Sequence, residues 1–177
     1  MKICIIGGGA GGMGASARIR QLDEQAQIDL FTSRAEIGYA PCEPPFVLKG
    51  MVSWDDIFYP GKFYEERNII VHLNSEVTDI IRKEKQIIAG GQSYPYDKVV
   101  LSPGAIPSIP PISGLDGKNE FTISTDIADG RALEKIIANR TSAAVIGAGP
   151  IGIEMTLALV ARDCQRVYLL DMMENIL

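Results

Sequence analysis

The chain has 177 residues, 46% of them hydrophobic, with a formal net charge of -5 and a pI of about 4.9. That length holds one ordinary domain and part of a second. The acidic balance argues against a nucleic-acid partner, which calls for a basic patch. The three widely spaced cysteines, Cys4, Cys42 and Cys164, make neither a CxxC zinc pattern nor an even disulfide framework, so no metal site is expected.

The apolar stretch 3–6 is too short for a signal peptide, so the reducing cytosol is the expected location. Residues 143–161 are apolar, but Gly147, Gly149, Pro150, Gly152 and Glu154 interrupt them, and no membrane span is expected. In chain order, 2–6 reads as a buried strand, 7–12 as a glycine turn, 13–22 as a helix and 27–31 as a second strand. This is a βαβ unit. Residues 33–50 are irregular and carry Gly38, Pro41, Pro44, Pro45 and Gly50, and so long a segment inside a domain is often functional. Residues 54–67 look helical in part, with a break near Pro60 and Gly61. Segments 69–72, 76–81 and 86–89 read as strands of a meander. Residues 94–97 are turn material before a strand at 98–101. Residues 103–114 hold Pro103, Pro107, Pro110 and Pro111 and read as a linker. A helix is expected at 125–138. Then the opening pattern returns as strand 143–146, glycine turn 147–152, helix 153–161 and strand 166–170. A doubly wound domain has more strands than this second copy supplies, so it is expected to be the start of one, either a fragment or a piece completed by a partner chain.

Gly7, Gly9 and Gly12 satisfy GxGxxG in the first turn, and Gly147, Gly149 and Gly152 satisfy it in the second. The spacing serves a tight turn, close backbone approach to a pyrophosphate, and helix–strand packing. The helix N-terminus then presents free N–H groups and a partial positive charge to the phosphates. Each turn follows an apolar strand and opens a helix, which is the context the motif requires. About 20 residues beyond each motif an acid is expected for the ribose hydroxyls. In the second copy it is Asp171, which favours NAD over NADP. In the first it is Thr32, followed by Ser33 and Arg34, and a hydroxyl binds a ribose more weakly than a carboxylate.

Cys42 lies in Gly38-Tyr39-Ala40-Pro41-Cys42-Glu43-Pro44-Pro45-Phe46, past the carboxyl end of the second strand, where ligands bind in such sheets. With no second cysteine within five residues it forms no local dithiol. A single thiol cycles as a sulfenic acid or a mixed disulfide, and either requires access and thiolate character. The competing reading is a buried structural cysteine. Cys4 and Cys164 are expected to be buried and structural. His72 lies in an expected strand and is not read as a base.

Four ordered motifs, GGGAGGMGASARIRQLD, YAPCEPPFVLKG, YDKVVLSPGAIPSIPPISG and VIGAGPIGIE, run the length of the chain. In them it resembles the single-cysteine branch of the pyridine nucleotide-disulfide oxidoreductases: NADH oxidases, NADH peroxidases and coenzyme A-disulfide reductases. The resemblance implies an α/β fold. A Rossmann-like FAD-binding domain (βαβ plus a small β meander) would occupy 1–112, a linker and helix 113–140, and the first βαβ of an incomplete NAD(P)-binding Rossmann domain 141–177. It implies that Gly7, Gly9, Ala10, Gly11, Gly12, Thr32, Ser33, Arg34, Ala40 and Pro41 bind FAD. Val77 would lie by the adenine, and Ser102, Pro103 and Gly104 would pass close to the flavin nucleotide. Gly147, Gly149, Pro150, Ile151, Gly152 and Asp171 would bind NADH or NADPH.

Cys42 would be the redox cysteine, with Arg20 and Tyr39 contacting a coenzyme A-type substrate. Ala10 stands where peroxidases and many oxidases carry a histidine, which is closer to the coenzyme A-disulfide reductases. Gly38 and Pro41 stand where some of those have serine and asparagine, and Thr32 replaces the usual glutamate. The implied function is an FAD-dependent NAD(P)H oxidoreductase. It would pass electrons through Cys42 to a coenzyme A-like disulfide, O2 or peroxide, as a homodimer with small-molecule substrates. Two alternatives stay open: a nucleotide-binding module without turnover, and a reductase of a small electron-transfer protein such as rubredoxin.

Overall fold

The computed structural model describes residues 1–40, 42–59, 62–124 and 126–174. In chain order the elements are β1 (Lys2–Ile6), α1 (Ala10–Leu22), β2 (Gln27–Phe31), α2 (Pro44–Leu48), α3 (Phe63–Glu66), β3 (Ile69–His72) and β4 (Val77–Ile81). They continue with β5 (Gln86–Ala89), β6 (Gln92–Pro95), β7 (Lys98–Leu101), α4 (Ile127–Ile137), β8 (Ser142–Ile146), α5 (Pro150–Ala161) and β9 (Arg166–Leu170). The chain forms two compact units. One is Met1–Ala40 with Phe58–Ala105, and the other is Pro41–Ile57 with Ile106–Leu177.

The first unit is built on a parallel sheet in the order β3-β2-β1-β7. Of its central strands, β1 is apolar on both faces beyond Lys2, as a strand covered on both sides must be, whereas β2 is apolar on one face and carries Gln27 and Asp29 beside Phe31 on the other. Successive side chains alternate between faces. Ile3 and Ile5 of β1 and Ile28 and Leu30 of β2 therefore form one cluster, with Ile19 of α1 against it. Cys4 and Phe31 fall on the opposite face and join Ile87, Ala89 and Tyr96. Ile5, Ile28, Leu30 and Phe31 are wholly buried, each worth about 1.5–3 kcal/mol of transfer free energy. The second cluster is closed by an antiparallel sheet in the order β4-β5-β6.

Two expectations change here. The segment 69–72 is a strand, but it pairs in parallel with β2 and belongs to the main sheet rather than the meander. The third meander strand is β6, where turn material was expected at 94–97. Gly90 and Gly91, both at positive φ, form a two-residue hairpin loop that turns β5 back onto it. Pro95 is tolerated because β6 is an edge strand.

The second unit holds the parallel pair β8-β9 and the helices α2, α4 and α5. Leu48, Leu133, Ile137, Met155, Ala158, Leu159 and Cys164 form its core. Gly149 caps α5 and Pro150 occupies its first turn, where a missing N–H costs nothing. Asp126 caps α4 by accepting from the Ala128 N–H at 2.8 Å. The compact units differ from the segments 1–112, 113–140 and 141–177. Residues 41–57 follow β2 in sequence, yet Leu48 is buried in the core of the second unit. Within 33–50, 44–48 is helical. The expected break near Pro60 and Gly61 lies outside the described residues. Among the described residues, no helix is long and apolar enough to cross a membrane. They also hold no group of metal-ligating side chains.

Candidate functional site: two glycine turns and a cysteine segment

The first turn is fixed by close backbone approach. The Gly7 N–H donates to the Phe31 carbonyl at 2.8 Å, and Gly7 has φ +110. A Cβ there would overlap the Ser102 carbonyl oxygen, one on Gly11 the Ser102 hydroxyl, and one on Gly12 the Gly7 carbonyl. Ser102 is itself held by its N–H donating to Ile6 O at 2.8 Å. Gly9 differs, because a Cβ on it would meet nothing within 4 Å. It is the N-cap of α1, no side chain caps it, and the first intrahelical bond runs from Met13 N–H to Gly9 O. The N–H groups of Ala10, Gly11 and Gly12 therefore precede the ladder and can bind an anion. An open cradle over Gly9, beside free donors, fits a pyrophosphate.

Thr32 closes this turn from the side. It is buried and packs against Gly8. Its N–H donates to His72 O, its carbonyl accepts from Ser75 N–H, and Oγ1 accepts from Arg34 N–H at 3.2 Å. The hydroxyl keeps its own proton to donate. Ser33 is exposed.

The second turn repeats the geometry. The Gly147 N–H donates to Leu170 O at 2.8 Å, with φ +103. A Cβ on Gly152 would overlap the Gly147 carbonyl, while one on Gly149 meets nothing within 4 Å. The first intrahelical bond of α5 runs from Ile153 N–H to Gly149 O, so the donors ahead of it are those of Ile151 and Gly152. Ile151 is exposed. Asp171 stands where Thr32 stands in the first copy. Its Oδ2 accepts from the Ala148 N–H at 2.6 Å and its Oδ1 from the Met173 N–H at 2.8 Å. Donation by the Ala148 N–H, then by those of Met173 and Met172, holds its carboxyl below the usual carboxylate range. A carboxylate at the tip of the second strand, turned onto the glycine turn, suits ribose hydroxyls.

Cys42 is exposed, which removes the reading of a buried structural cysteine, whereas Cys4 and Cys164 are buried. Burial pushes the Cys4 thiol up to about 11. The segment after Cys42 is well anchored. Leu48 is fully buried, and the Arg162 guanidinium donates to the carbonyls of Leu48 (2.6 Å) and Val47 (3.3 Å). Arg162 also donates to Glu134 Oε1 at 2.7 Å, and Glu134 Oε2 accepts from the Trp54 indole at 2.7 Å. Partial burial opposes ionisation of Glu134, but these two donors and the Arg162 charge hold its pKa below the usual value. The Trp54 ring lies on Gly130 of α4, where a Cβ would come within 2.5 Å of it. Neither Arg162, Glu134 nor Trp54 stands out in the sequence. A helix-end arginine and a surface glutamate carry no motif, and the only advance signal was an unexplained glycine inside α4.

The other implied residues fall as follows. Arg20 donates to the carbonyls of Arg67 (2.7 Å), Asp23, Glu24 (2.6 Å) and Asn68 (3.0 Å), so it ties the end of α1 to the end of α3. Tyr39 is buried against Phe58, and its hydroxyl accepts from Arg34 at 2.6 Å. Val77 packs against the Phe31 cluster at a bulge in β4. Ala40 is half-buried and ends the first stretch of the first unit, Gly104 has φ +78, and a Cβ on Gly7 would come within 3.2 Å of the Pro103 nitrogen. Pro41 lies outside the described residues. His72 Nε2 pairs with Asp29 Oδ1 at 2.8 Å, and its ring stacks on Phe31 at 4.3 Å.

The family model described as pyridine nucleotide-disulphide oxidoreductase matches residues 1–177. An NADH oxidase of Methanocaldococcus jannaschii is 37% identical, over 100% of this chain and 41% of its own length. An NAD(P)H coenzyme A polysulfide/persulfide reductase of Pyrococcus horikoshii is 34% identical, over 91% of this chain and 37% of its own. Among solved structures, reduced Bacillus anthracis CoADR-RHD superposes with a TM-score of 0.92 at 30% identity, covering 99% of this chain and 33% of that one. The chain thus spans roughly two fifths of the length of these curated relatives. The family uses FAD and NAD(P)H, and the two turns described above are of the kind that holds them. The two βαβ units, their matched glycine turns and the match over all 177 residues place this chain in the pyridine nucleotide-disulphide oxidoreductase family.

Proposed function

We propose that this chain supplies the FAD turn, the nicotinamide turn and the redox cysteine of an NAD(P)H oxidoreductase that reduces sulfur–sulfur bonds. The first turn holds FAD through the Ala10, Gly11 and Gly12 N–H groups, with Thr32 on the adenosine ribose, and the second holds NADH through Ile151, Gly152 and Asp171. FAD, when bound, supplies the hydride-accepting and electron-relaying chemistry. Cys42 is the chain's own contribution to turnover. Its thiolate attacks one sulfur of a disulfide or polysulfide, releases the other half as a thiol, and is freed again by two electrons. Coenzyme A enters the proposal through the Pyrococcus horikoshii relative's name. Arg20 and Tyr39 are the residues that the resemblance assigns to that substrate.

The observation that carries this reading is the exposure of Cys42 on a segment whose following helix is buried and hydrogen-bonded. A thiol held in place and open to solvent suits exchange, whereas a packing cysteine is covered. Asp171 supports NADH over NADPH, since a carboxylate aimed at the ribose repels a 2′-phosphate. The test is Cys42→Ser in the FAD-loaded protein. Disulfide-dependent NADH oxidation should fall by about 10³-fold or more, as expected for loss of a covalent nucleophile, with the flavin spectrum unchanged. Undiminished disulfide reduction would remove Cys42 from the mechanism.

A further inference from the structure

We propose that Arg162, oriented by Glu134, is the positioning residue for Cys42, so that the helix carrying the second glycine turn also carries the redox segment. The inference rests on the redox role given to Cys42 above. Its ground is a set of contacts inside the second unit. Helix α2 begins two residues after Cys42, and its last carbonyls need partners, as at any helix C-terminus. The Pro45, Phe46 and Val47 carbonyls receive the N–H groups of Lys49, Met51 and Gly50, at 2.9, 3.0 and 2.8 Å. The Leu48 carbonyl belongs to a residue with no exposed surface, and it accepts from Arg162 Nε at 2.6 Å. Removing that donor would orphan a buried carbonyl, the costly case for a hydrogen bond.

Arg162 also favours the C-terminal end of its own helix by its charge. A charge interaction with α5 alone would leave the guanidinium in solvent. Here it reaches 114 positions back along the chain and is held there by the Glu134 carboxylate. Glu134 in turn receives the Trp54 indole, which pins the far end of the same segment on α4. One rigid helix therefore has its N–H groups at the nicotinamide turn and its C-terminal side chain on the redox segment. In this arrangement Arg162 touches no substrate. It sets where Cys42 sits.

The test has two readouts. In the chain without cofactor, hydrogen exchange reports the Lys49, Gly50 and Met51 amides directly. Arg162→Ala should speed their exchange about tenfold, with β1 and β2 amides unchanged, and Arg162→Lys should restore part of the protection. In the FAD-loaded protein, Arg162→Ala should lower kcat for disulfide reduction about tenfold. Reduction of ferricyanide by NADH, which bypasses the thiol, should hold its rate and its KM for NADH. Unchanged exchange at 49–51 would overturn the proposal, as would an equal fall of both activities. If Cys42→Ser still reduces disulfides, the redox reading fails, while the exchange result still decides whether Arg162 holds the segment.

Discussion

Asp171 and Thr32 occupy matching positions at the ends of β9 and β2, and the difference between them is one of charge. Asp171 accepts from the N–H of Ala148, inside the glycine turn, so its orientation is set before any nucleotide arrives. Thr32 Oγ1 accepts from Arg34, inside its own loop. Asp171→Ala should weaken NADH binding about tenfold and NADPH binding less, so that the preference between them narrows, as measured by calorimetric titration. Equal affinities before and after would remove Asp171 from the ribose site. The pH dependence follows from the lowered pKa. A carboxylate whose folded value is depressed contributes fully above its ordinary value and is lost only as pH falls through the lowered one. NADH affinity should therefore be flat with respect to Asp171 from about pH 8 down to about pH 5.

Among the elements, the starts of α1 and α5 separate two kinds of glycine. Gly12 and Gly152 are needed for the fold, because a Cβ on either would overlap the carbonyl at the head of its own turn. Gly9 and Gly149 have open space before them, so beyond capping their helices they are needed for what approaches from outside. Gly149→Ala should cost no more than a helix cap, about 1 kcal/mol or a few °C in melting temperature, but weaken NADH binding about tenfold or more. Gly152→Ala should lower stability by about 3 kcal/mol or more. Comparable melting losses in both variants would mean that the open position over Gly149 is structural.

Both turns, with their strands and helices, were legible in the sequence because glycine spacing and apolar runs report backbone needs directly. The rest was hidden for identifiable reasons. Helix α2 is short and opens with Pro44 and Pro45, so it looks like loop. β3 carries no feature that distinguishes a parallel partner of β2 from a meander strand. β6 is polar and contains Pro95, although the Gly90-Gly91 pair was a usable hairpin signal.

For the whole molecule, the division into units is the feature least visible in the sequence. Residues 41–57 interrupt the first unit in sequence and are assembled with the second, through Leu48, Trp54 and the Arg162–Glu134 pair. Chain order alone puts Cys42 with the first glycine turn, whereas packing puts its segment on the helices of the second unit. The glycine turns were read in advance, and the residues that hold the cysteine segment were not. Those residues act through side chains far apart in sequence, and no local pattern announces them.

The proposed redox role of Cys42, in a protein that binds FAD and NADH, has a direct stoichiometric consequence. In an anaerobic titration with NADH, the oxidised, FAD-loaded protein should take up about two equivalents, one reducing the flavin and one releasing Cys42 from its sulfenic acid or mixed disulfide, against about one in Cys42→Ser. One equivalent in both proteins would contradict it.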